Sequence, residues 1–150
     1  MKGHRPHRRR HANPAAWAIA IDASRPFPEE EATRIVNRVR VAYQCLRDGV
    51  ASDEHFDRLG AAVNVAIVRC EQIGNSEPLQ RLLVAAAKAL MEGRALHARH
   101  GRYGLTGPGT LALNAGMDAY EEILRQSSAR QMQAAVEEVV RRVNQQAAQA

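Results

Sequence analysis

The sequence predicts an all-α fold: a compact bundle of about five helices preceded by an extended N-terminal arm. Three observations carry this. Five segments between residues 28 and 146 place apolar side chains at three- and four-residue steps, the period of a helix buried on one face. Capping residues, prolines or glycines bound these segments. Aromatic residues make up only 4% of the chain, so the core must come from Leu, Val, Ile and Ala, which suits packed helices better than a sandwich.

The first helix is expected at about 28–48. Pro28 and three glutamates occupy its start, where free amides and the helix dipole favour them. Ile35, Val36, Val39, Tyr43 and Leu46 form its stripe, and Gly49 supplies the stop. The second spans about 53–73 behind Ser52, an N-cap followed by Asp53 and Glu54. Its stripe is Phe56, Leu59, Val63, Ile67, Cys70 and Ile73, and Gly74 ends it. The third runs about 77–100 with Leu79, Leu82, Leu83, Ala86 and Leu90, and finishes on "RALHARHG".

The fourth helix follows the glycine-rich "GRYGLTGPGT" at about 110–126, with Leu113, Met117, Tyr120 and Leu124 in line. The fifth, about 129–146, starts with a Ser128–Gln131 capping-box spacing. Met132, Val136, Val139 and Val143 repeat along it as a narrow seam, and the final "NQQAAQA" is expected to fray. Short connections between amphipathic helices imply mostly antiparallel neighbours.

At 150 residues the chain is long enough for one domain with a real core. It divides into a basic tail at 1–14, expected to be disordered, an extended arm at 15–27, and a single helical domain at 28–146. The arm contains "AAWAIAI", in which Trp17, Ile19 and Ile21 alternate with alanines. That period of two places three bulky side chains on one side of an extended segment, ready to lie on its own bundle or on a neighbouring subunit.

The net charge of +5 belongs to the tail. Lys2, Arg5, Arg8, Arg9 and Arg10 stand there without an acid, and the remaining 16 basic residues are matched by 16 acidic ones. A whole-surface steering field is therefore not expected. Arginine forks onto phosphates better than lysine, but a GC-rich coding sequence is the plainer reason that only Lys2 and Lys88 are lysines. Cys45 and Cys70 fall inside helical patterns and make no disulfide framework, which fits a reducing cytoplasm. The apolar run after Pro14 is only about seven residues long, at the shortest limit for an export signal. No later stretch reaches the roughly 18 apolar residues of a membrane span, so no membrane association is expected.

No catalytic residue, metal or cofactor is assigned. His4, His7 and His11 sit in a cationic segment that repels a dication, and His97 and His100 lack further convergent ligands. Glu121, Glu122, Glu137 and Glu138 read as solvated helix faces, because no Glu-x-x-His pair accompanies them. There is no G-x-S-x-G, and neither cysteine has a setting that lowers its pKa.

The glycine loop admits two readings. Gly104, Gly107 and Gly109 at a helix start, with Arg94, Arg99 and Arg102 nearby, could contact an anion through backbone amides. The spacing matches neither phosphate-binding loop, and cations at a helix C-terminus also complement its dipole; a structural turn is the favoured reading. For the tail, nucleic-acid contact through Lys2, Arg5, Arg8, Arg9 and Arg10 and mere solubilisation stand level. No helix shows a basic face with base-reading side chains.

The basic start with "NP", "LRDGVASDEHFDRLGAAVNVAIVRCE", "GRYGLTGPG" and "MDAYEEILRQSSARQMQAA" together resemble small uncharacterised proteins carried by bacterial prophages and other mobile elements, over most of residues 8–140. The resemblance implies a cytoplasmic host setting and a phage-accessory role, and it carries no site residue. The leading expectation is a non-enzymatic helical interaction module that forms a homo-oligomer through Trp17, Ile19 and Ile21 and acts on a host or phage protein or on DNA. The alternatives are a sequence-nonspecific nucleic-acid-binding protein using the basic arm, and an enzyme with an unrecognised site.

Overall fold

The computed structural model describes residues 23–150. Five helices account for most of them: α1 (Glu29–Arg47), α2 (Asp53–Ile73), α3 (Glu77–His100), α4 (Gly107–Arg125) and α5 (Ala129–Gln149). No strand forms among the described residues; one isolated antiparallel bridge joins Pro26 to Ser128. The all-α bundle expected from the sequence is what the chain builds. No described helix is long and apolar enough to cross a membrane.

The local signals act as expected at most boundaries. Gly49, at φ 74°, lets the end of α1 close with two reversed hydrogen bonds: Gly49 N–H donates to Leu46 O at 3.2 Å, and Val50 N–H to Cys45 O at 2.9 Å. Ser52 caps α2 reciprocally, but with His55 in the third position: the His55 amide donates to Ser52 Oγ, and the Ser52 amide to His55 Nδ1. Ser128 and Gln131 make the expected capping box on α5.

Two boundaries differ from the sequence reading. Helix α4 begins at Gly107, three residues before the expected start. Thr106 is its N-cap, its Oγ1 accepting from the Gly109 amide at 3.0 Å, and Pro108 fits the first turn because it has no amide to satisfy. Helix α5 continues to Gln149, since its last turns hold Gln and Ala, good helix formers without a breaker.

Helix α2 is the centre of the bundle. It packs against α1, α3, α4 and α5, and it buries Phe56, Leu59, Ala62, Val63, Val65, Ala66, Val68, Arg69 and Cys70. A helix apolar nearly all round is one enclosed on several sides. The buried Arg69 donates through Nε to Ser127 Oγ at 3.0 Å, and Ser127 Oγ donates to Ile123 O at 2.7 Å. Its cation thus sits at the C-terminal end of α4, where the helix dipole favours it.

Helices α3 and α4 form the most extensive pairing. Their closeness depends on Gly116: a Cβ there would collide with the Ala86 side chain. Across the outer face, Arg40 of α1 bonds Asp118 at 2.6 Å and Glu121 at 3.1 Å, and Arg125 bonds Glu121 and Glu29. Together they tie α1 to α4.

Candidate functional site

The loop from Gly101 to Thr106 is a clasp. Tyr103 lies between the rings of Phe56 and His97, stacked at centroid distances of 4.2 and 4.1 Å. Its hydroxyl donates to Asp53 Oδ1 at 2.7 Å, a bond that raises the phenol pKa above its ordinary value. The loop therefore pins the first turn of α2 to the last turn of α3. Gly93 makes room for it, because a Cβ there would stand 2.9 Å from the Gly104 carbonyl oxygen. Arg94 reaches over the Phe56 ring at 5.3 Å and approaches Asp57 at 3.6 Å.

The residues considered for anion contact are not brought together as a cradle. Gly104 turns its carbonyl oxygen toward α3, Gly107 and Gly109 lie within the first turn of α4, and the Gly109 amide is taken by Thr106. Arg94 is engaged with Phe56 and Asp57, and Arg99 Nε donates to Ala95 O at 3.4 Å. Arg102 is exposed beside Arg47, Asp48 and Thr110 in a shallow cleft. Most of the side chains of this region contact one another, and Arg102 stays exposed.

Of the four glutamates read as solvated faces, Glu121 and Glu138 are ion-paired, while Glu122 and Glu137 accept hydrogen bonds from Gln126 and Gln133. Arg40 and Arg125 hold the Glu121 carboxyl below the usual range. Glu138 pairs with Arg141 and Arg142, which lower its pKa to about 2, and Arg142 continues to Glu71 on α2. Burial pushes the Cys70 thiol up, opposite to what a nucleophile needs.

Among the described residues, one helix that gathers several exposed apolar side chains is α5. Met132 and Ala135 are buried, and Val139 packs on the core. Val136, Val140 and Val143 are 39%, 52% and 55% exposed. The narrow seam expected from the sequence is thus divided: Met132 and Val139 turn inward with Ala135, while Val136 and Val143 stand outward with Val140. From Val140 onward every residue is exposed.

Lys2, Arg5, Arg8, Arg9, Arg10, Trp17, Ile19 and Ile21 lie outside the described residues. Of the extended arm expected at 15–27, residues 23–27 are described: Ala23 has helical backbone, Ser24 and Arg25 turn, and Pro26 forms the bridge to Ser128. Periodicity alone missed Tyr103, whose partners are far away in sequence, and the buried Arg69. The only advance signal for the clasp was the crowding of "GRYG" beside "LHARH". No family model matches the chain, and no curated protein or solved structure does so either.

Proposed function

We propose that the chain is a non-enzymatic helical interaction module that self-associates, acting in the cytoplasm of a bacterial host on a host or phage protein or on DNA, in a prophage or mobile-element setting. The observation that supports it is the row of half-exposed valines on α5, Val136, Val140 and Val143, on a helix whose principal neighbour is α2. Completing the burial of each is worth about 1 kcal/mol, a contribution that the side chains of a docked partner would add to.

Sedimentation velocity on the full chain tests self-association. A concentration-dependent dimer that the Trp17→Ser, Ile19→Ser variant dissociates, with helicity retained, is the expected result. A chain that stays monomeric at high concentration ends the reading.

A second reading rests on the location of charge. The five cations at residues 2–10 are the chain's whole net charge, so sequence-independent nucleic-acid binding would reside there. Such binding weakens steeply as salt rises and is lost on deleting residues 1–12. Equal affinity of the truncated and full chains for duplex DNA at low salt would exclude it.

A further inference from the structure

We infer that the valine face of α5 is the docking site for residues 15–21 of this chain. The path of the chain leads there. The antiparallel bridge between Pro26 and Ser128 fixes the start of the described segment against the N-terminus of α5. A shallow cleft lined by Ala23, Pro26, Phe27 and Ala129 continues that contact.

Ala129 marks the correct side of the helix. At 3.6 residues per turn, Ala129, Val136, Val140 and Val143 fall within an arc of roughly 60°. Ala23, the first described residue, therefore stands beside the same side of α5 that carries the half-exposed valines. The inward side, with Ser128, Met132, Ala135 and Val139, is already occupied.

The reach agrees. Val136 lies about 10 Å along the helix from Ala129, and Val143 about 20 Å, at 1.5 Å per residue. From Ala23 back to Trp17 the chain covers about 9 Å if coiled and about 20 Å if extended. Trp17 meets Val136 in the first case and Val143 in the second. The chemistry also matches: residues 15–21 carry Trp17, Ile19 and Ile21 and no charge, and the three valines keep about half of their surface exposed among the described residues.

This docking rests on the self-association reading only for which copy donates the segment; the surface it occupies is the same. Trp17 is the only tryptophan of the chain, so its fluorescence reports the contact directly. The test compares emission and acrylamide quenching in the full-length protein and in a Val136→Gln, Val140→Gln variant. Glutamine preserves the helix while removing the apolar face. A Leu111→Gln variant on the exposed side of α4 serves as the control.

The expected result is a blue-shifted, protected Trp17 that becomes red-shifted and several-fold more quenchable in the double variant, with circular dichroism unchanged and the control like the parent. A parent Trp17 as accessible as free tryptophan overturns the docking. So does a protected Trp17 that the double variant leaves protected. Dilution separates the two readings. Protection that persists where sedimentation shows only monomer keeps the docking and ends self-association. Protection lost together with the dimer keeps both. A dimer with an accessible Trp17 keeps self-association and ends the docking.

Discussion

Helices α2 and α5 are each 21 residues long and each opens on a serine capping box, yet α2 buries nine residues and α5 two. The difference teaches that cap and period decide whether a helix forms, while the number of neighbours decides how far it is buried. Helix α2 is surrounded, and even its Arg69 is enclosed with a hydroxyl partner. Helix α5 leans chiefly on α2 and keeps apolar side chains that the bundle does not use. The first helix anchors the core, and the second carries the surface for which docking is proposed.

The largest effect expected from this contrast is on α2. Leu59 is fully buried, so Leu59→Ala should cost about 2–5 kcal/mol of unfolding free energy through lost transfer and a residual cavity. Denaturant titration measures it, and a cost within the roughly 0.5 kcal/mol typical of surface changes would refute the central placement of α2.

On α5 the equivalent truncation should cost much less. Val140→Ala removes a side chain that the bundle leaves half exposed and gains helix propensity, so the change should not exceed about 1 kcal/mol, the contribution of covering its exposed half. A loss as large as that of Leu59→Ala would mean that α5 is as integral to the core as α2.

The smallest effect concerns the ion pairs that tether the two helices. Arg141 and Arg142 lower the Glu138 pKa to about 2. An acid with a depressed folded pKa lends stability above its unfolded value, about 4.3, and loses that contribution as pH falls through about 2. Both arginines are exposed and Glu138 is only partly buried, so the contribution is screened and slight. A carboxyl chemical-shift titration should place its midpoint near 2; an ordinary glutamate midpoint would show that the Glu138–Arg142–Glu71 chain does not hold in solution.

Much of the bundle was legible in the sequence because its signals are local. Ser52, Ser128, Gly49 and Gly74 mark helix ends by their own chemistry. The start of α4 was obscured because Gly–Pro–Gly resembles a loop, although proline in a first helical turn loses nothing and Thr106 caps it. The breadth of the buried face of α2 was hidden because Ala62 and Ala66 add little to an apolar stripe and yet are buried.

The candidate sites were less legible. Tyr103 clasps Asp53 across 50 residues, and no spacing along the chain encodes that. The seam on α5 was read as one line through Met132, Val136, Val139 and Val143. Its division depends on where along α5 the core contact ends: Met132 and Val139 lie against the core, and from Val140 onward every residue is exposed.

The bridge from Pro26 to Ser128 joins positions about a hundred residues apart, which bears on the order of events during synthesis. Helices α3 and α4 are consecutive and pair extensively, so they can close as soon as both have left the ribosome, and local contacts of this kind form fast. The bridge cannot close until Ser128 is made, after all of α1 to α4. The segment ahead of α1 therefore waits for the start of α5, and a product stopped before α5 retains its paired hairpin while Pro26 has no partner to bridge.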